Sequence, residues 1–177
     1  MPQNRFIIRR RAFLKTGLAA AAGSAAGCGR RGGGPYWRFF TTSEVRTIEA
    51  ICEQIIPTDE SPGARQAGVA HFIDLQLTRH YKRHQPAYRR GLAAVDAASI
   101  ERHKKPFADL DFDQQTGILT EIAEREPEFF ALVRAHTMQG FYGDPRHGGN
   151  RDEVSWKMIG LPNPPVRGRL PYELKDS

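Results

Sequence analysis

Phe40-Thr41-Thr42-Ser43-Glu44-Val45-Arg46-Thr47-Ile48-Glu49-Ala50-Ile51-Cys52-Glu53-Gln54-Ile55-Ile56-Pro57 is the stretch that decides the fold class. Thr41 and Glu44 stand at capping-box spacing, where a hydroxyl and a carboxylate each satisfy a free backbone N–H at a helix start. Phe40 and Val45 occupy the two staple positions around that cap. Val45, Ile48, Ile51, Cys52, Ile55 and Ile56 then recur at steps of three and four, which gives one apolar helix face. Pro57 ends the helix, and Thr58 to Gly63 reads as a polar turn.

The same signals recur downstream. A second helix is expected from Val69 to about Arg83, with Val69, Phe72, Ile73 and Leu77 on one side. Pro86 is expected to mark the break before a third, on which Tyr88, Leu92, Val95 and Ser99 share a face. Lys104-Lys105-Pro106 interrupts it. Asp111 and Gln114 repeat the capping-box spacing ahead of Ile118, Leu119 and Ile122 on a fourth helix. Pro127 suits the first turn of a fifth, carrying Phe129, Phe130, Val133, His136, Thr137 and Phe141. A glycine-rich loop follows from Gly140 to Asp152, then a short helical turn around Trp156. No alternating strand or two-residue hairpin turn is found. The expectation is therefore all-α: a small single-domain bundle of about five helices with a Gly-rich loop and an extended, Pro-rich C-terminal arm over 163–177.

Size and charge set the outer bounds. The 177 residues, 40% apolar, suffice for one core, and two cysteines exclude a disulfide scaffold or a four-cysteine metal site within this chain. The net charge of +6 invites a nucleic-acid reading until it is located. Arg5, Arg9, Arg10, Arg11 and Lys15 lie in residues 1–27 with no acid among them; subtracting those five leaves +1 for residues 28–177. A body near neutrality offers little general attraction to phosphate backbones, so nucleic acid is not an expected partner.

The leader carries its own message. A charged region is followed by Gly17 to Gly27, an Ala- and Gly-rich run well short of the roughly 20 residues that span a bilayer. Arg10, Arg11, Phe13, Leu14 and Lys15 resemble a twin-arginine export signal; an ordinary Sec signal is the competing reading. The twin-arginine route carries folded proteins, yet neither a GxGxxG after a strand nor a CxxCH haem-attachment sequence occurs here. Something else is expected to travel with this chain. Cys28 ends Ala25-Ala26-Gly27-Cys28, which resembles a lipoprotein box; lipidation of Cys28 and cleavage at a nearby Ala-x-Ala-like site are both open. Residues 28–38 read as a flexible spacer and 39–162 as the helical domain.

Ordered blocks across that domain carry a family resemblance. They are Phe40-Thr41, Ile55-Ile56-Pro57-Thr58-Asp59-Glu60-x-Pro62-Gly63-Ala64, Gly68-Val69-x-x-Phe72-Ile73-Asp74 and Tyr88-Arg89-x-Gly91-Leu92. Phe129-Phe130-x-Leu132-Val133-x-x-His136-Thr137-x-x-Gly140-Phe141-Tyr142-Gly143-Asp144-Pro145, Gly148-Gly149-Asn150-Arg151 and Trp156-Lys157-x-Ile159-Gly160-x-Pro162 complete them. The pattern resembles the gluconate 2-dehydrogenase subunit 3 family, the small or gamma subunit of membrane-associated flavin dehydrogenases, in which a twin-arginine leader is common. His147 departs from the tyrosine usual at its position, and the tail after Asn163 is idiosyncratic.

The resemblance implies a large FAD-containing partner subunit of the glucose–methanol–choline type, with haem c in a cytochrome c subunit of some complexes. This chain would carry no cofactor and no catalytic residue itself. It would use the twin-arginine translocase to bring its partner to the periplasm, membrane-associated through the complex or a lipid on Cys28. The rival reading is a free-standing periplasmic lipoprotein that binds a ligand or serves the envelope. An independent metal-dependent enzyme has little support.

Individual residues keep alternatives. Tyr142, His147 and Trp156 are candidate partner contacts, with core packing equally open for Trp156. Gly143 to Asn150 reads as a tight loop locking the fifth helix, as an anion cradle of backbone N–H groups, or as part of the docking surface. Cys52 reads as a buried thiol on the apolar face or as an inter-subunit thiol. His136 is expected to be neutral and to hold the glycine-rich loop by a hydrogen bond. His80 and His84 have the i,i+4 spacing of a helical metal pair, but Lys82 and Arg83 between them favour a solvated face.

Overall fold

A computed structural model describes residues 37–161. The leader residues Arg10 to Lys15, Cys28 and the arm over 163–177 lie outside the described residues. Six α-helices follow in order: α1 (Thr42–Ile55), α2 (Val69–Leu77), α3 (Gln85–His103), α4 (Phe112–Arg125), α5 (Pro127–Tyr142) and α6 (Val154–Met158). There is no strand among the described residues, so the domain is the all-α bundle expected, with the Trp156 turn as a short sixth helix.

Both capping boxes form. The Glu44 N–H donates to Thr41 Oγ1 at 3.4 Å while the Thr41 N–H donates to Glu44 Oε2 at 2.8 Å. Asp111 and Gln114 do the same for α4, at 2.9 and 3.3 Å. Because these signals are local, they set the first residues of α1 and α4 whatever packs above them.

Helices α1 and α5 each touch every other one of the first five helices. Their apolar faces meet in one core, where Ile48 and Ile51 from α1 and Phe129, Val133 and Phe141 from α5 are buried with Ile73, Leu92, Ile118 and Ile122. The chain entering this core is held by a residue that periodicity does not flag. Asp74 is 1% exposed on α2, and its carboxylate accepts the N–H groups of Arg38, Phe39 and Phe40 at 2.7, 2.9 and 2.9 Å. A buried carboxylate persists here because backbone donors replace its water.

Two element boundaries differ from expectation. Helix α2 ends at Leu77, not near Arg83. The Thr78 hydroxyl donates to Leu75 O at 2.9 Å and Gln85 Nε2 donates to Leu77 O at 2.8 Å. These side chains take terminal carbonyls that a further helical turn would have used. A 3-10 turn, Lys82–His84, bridges to α3. Pro86 does not precede α3 but sits in its first turn, where the missing N–H would have had no helical partner anyway.

Candidate partner-docking surface

The glycine-rich loop is closed by Asn150, a fully buried side chain in the left-handed region at φ 42°. Its N–H donates to Gly140 O at 2.8 Å and its Nδ2 to Gly143 O at 2.9 Å. Its Oδ1 accepts both the N–H and the hydroxyl of Ser155, at 3.0 and 2.9 Å. One carboxamide thus ties the end of α5 to the start of α6. Glycine at 149 is required by close approach, since a Cβ there would stand 2.2 Å from Gly140 O. Most of the loop's own amides are spent internally: Gly143, His147 and Gly148 donate to Gln139, Asp144 and Pro145 carbonyls, and Arg146 N–H to Asp144 Oδ1. The loop therefore locks α5, one of the three readings open for it, and leaves few N–H groups for the alternative of an anion cradle.

This knot sets out an apolar surface. Trp156 is half-buried, and its Nε1 donates to Tyr142 O at 3.0 Å. Tyr142 is 46% exposed and Met138, one turn earlier on α5, is 41% exposed. Beyond Trp156, Met158, Ile159 and Leu161 are 49%, 60% and 52% exposed. Several large apolar side chains left open around one helix end are what a protein contact requires. His147 belongs elsewhere. It is exposed, its carbonyl accepts Gln76 Nε2 at 3.3 Å, and it lines a separate hollow with Phe72, Tyr81 and Gln139.

A family model described as gluconate 2-dehydrogenase subunit 3 matches residues 42–162. The chain belongs to the gluconate 2-dehydrogenase subunit 3 family. The match covers the whole bundle from the first residue of α1 through the knot and α6. No curated protein and no solved structure matches the chain.

In this subunit the polar residues of the interior hold the bundle together. His136 Nδ1 lies 2.8 Å from the Tyr88 hydroxyl, joining α5 to α3; it does not reach to the glycine-rich loop as expected. Its ring stacks on Tyr81 at 4.0 Å, with 5° between the planes. Burial, helped by nearby His84, pushes the imidazole down to about 4, so it is neutral as the sequence suggests. Cys52 is 1% exposed and accepts the Thr137 hydroxyl at 3.3 Å. Burial pushes its thiol up to about 12, so the inter-subunit thiol is corrected to a core residue. His80 lies in the turn after α2 and His84 in the 3-10 turn, so no helix pairs them. Among the described residues, no group of three or more His, Cys, Asp or Glu is placed to hold a metal ion.

Proposed function

We propose that this chain is the small accessory subunit of an exported FAD-dependent sugar or alcohol dehydrogenase. The family match over residues 42–162 carries the reading. In it, the twin-arginine motif at Arg10 and Arg11 exports the folded pair, and FAD sits in the large partner subunit. Electrons leave through a cytochrome c subunit in complexes that have one. The exposed apolar residues around Tyr142 and Trp156 support docking at the α5–α6 end. The mature complex is periplasmic and held at the membrane by its other subunits or by a lipid on Cys28.

An affinity pull-down of the tagged chain from the cell envelope tests the assignment. A flavin spectrum with one large co-purifying chain is the expected result, and a colourless solitary protein overturns it. Replacing Arg10 and Arg11 by lysine tests the escort role separately. Both proteins should then remain in the cytoplasm, and normal export of the flavoprotein would remove that role.

A further inference from the structure

On the face where the loop after α5 meets the start of α2, a cavity of about 360 Å³ is walled by Trp37, Glu49, Arg65, Gly68, His71 and Arg151. Its size falls in the range of small-molecule pockets. Among the described residues neither Arg65 nor Arg151 makes a side-chain ion pair, although six such pairs form elsewhere. Arg151 is nevertheless placed. Its N–H donates to Ala67 O at 3.0 Å, and its guanidinium lies over the bare Cα of Gly68. A Cβ on Gly68 would meet Arg151 Nη2 at 3.1 Å and Cζ at 3.4 Å. Gly68 has φ 69°, a conformation in which glycine is unstrained.

A second left-handed glycine repeats the arrangement. Gly148, at φ 99°, seats the His71 ring, with Nδ1 3.2 Å from where its Cβ would stand. That Nδ1 is buried and has no hydrogen-bond partner. The N-terminus of α2 opens at the same place. Gly68 gives it no side-chain cap, and the Ala70 and His71 amides have no acceptor among the described residues. Uncapped amides at a helix start carry partial positive charge and favour anions. Glu49 is the one acidic wall, which leaves the guanidinium pair in excess.

We propose that this cavity binds a small free ligand through an oxyanion, a carboxylate or phosphate group held by Arg65 and Arg151. Trp37, whose ring lies 6.0 Å from that of His71, supplies a flat wall for the body of the ligand. The assignment is independent of the dehydrogenase reading, because the isolated chain is enough to test it.

The chain has two tryptophans, so Trp156→Phe leaves Trp37 as the reporter. Titration with inorganic phosphate at constant ionic strength should change Trp37 emission along a saturating curve. Arg65→Gln and Arg151→Gln, each checked for native helix content by circular dichroism, should raise the half-saturating concentration about tenfold, as loss of a charge-assisted hydrogen bond does. Glu49→Gln should lower it by removing the one acidic side chain of the cavity wall. A linear response, an equal response to chloride, or saturation that survives both arginine replacements overturns the proposal. Saturation in the isolated chain that vanishes in the envelope complex would assign the cavity to a carboxylate of a partner subunit and overturn the free-ligand assignment.

Discussion

Gly91 offers the sharpest test of how the bundle is packed. It lies buried on α3 facing α5, and a Cβ added there would stand 2.0 Å from Phe129 Cγ and 2.3 Å from both Cδ atoms. Phe129 is fully buried and meets Tyr88 edge-on at 5.7 Å, so its ring has no open side into which to retreat. Gly91→Ala must therefore move the ring or part the helices. Overpacking costs about 1–3 kcal/mol, with the upper end fitting so short a contact, while alanine in a helix interior returns about 1 kcal/mol. The net loss is about 2 kcal/mol, or a fall of roughly 8 °C in the thermal midpoint of a domain this size. Gly117 on α4 is the internal control. It is exposed and a Cβ there would meet nothing within 4 Å. Gly117→Ala should therefore gain about 0.5–1 kcal/mol from helix propensity alone. Thermal and urea unfolding followed by circular dichroism measure both. The same chemical change should carry opposite signs at the two positions, and equal stabilisation by both would refute the α3–α5 contact.

Other consequences can be checked on the same purified chain. Asp74→Asn turns one carboxylate oxygen into a donor facing a backbone N–H, and should cost about 1–3 kcal/mol in urea unfolding; an unchanged midpoint would show that residues 38–40 are not held there. His136 is held at about 4 in the fold, below the roughly 6.5 of an unfolded histidine, so the unfolded chain takes up the proton first. Its contribution to stability is complete above about pH 6.5 and is lost as pH falls through about 4. The stability of His136→Gln should accordingly decline less between pH 7 and 4, and parallel declines would count against a buried neutral imidazole. With Cys28 replaced by serine, Cys52 should react with a thiol reagent only as fast as the domain opens. Immediate native-state labelling would place it at the surface.

What was legible in the sequence was local. Thr41 with Glu44 and Asp111 with Gln114 announce helix starts within four residues, and the faces of α1, α4 and α5 follow from spacing along one helix. The end of α2 was not legible, because Gln85 takes a carbonyl eight residues back and nothing in the spacing of apolar residues records it. Nor was the partner of His136, which stands 48 residues away at Tyr88. Asp74 gave a weak signal, an acid placed directly after Ile73 on an otherwise apolar stripe; that mismatch was the available hint of a buried anchor. In the candidate sites, the glycine density of the loop was visible, but Asn150 as its knot was not. Arg151 lying over Gly68 is a contact between distant segments that no motif spacing encodes.

The blocks that carry the family resemblance acquire a physical meaning from this. Gly63 sits where a Cβ would stand 2.5 Å from Thr58 N, Gly91 packs on Phe129, and Gly140 packs on Phe72 and Val69. Asp74 anchors the entering chain and Asn150 closes the loop. Each of these residues does work inside the bundle, so a chain matching the blocks is bound to share the fold. Part of the chemistry that would choose a partner or ligand lies outside them. Met138, Met158 and Leu161 on the apolar surface and Arg65 and Glu49 in the arginine cavity are absent from the blocks. Under the proposed docking, partner choice should therefore track Met138, Met158 and Leu161. Exchanging Met138 and Met158 for the residues of a subunit that serves a different flavoprotein should shift pairing and leave unfolding midpoints within about 0.5 kcal/mol, as surface changes do. Unchanged pairing would overturn the proposed docking at the α5–α6 end.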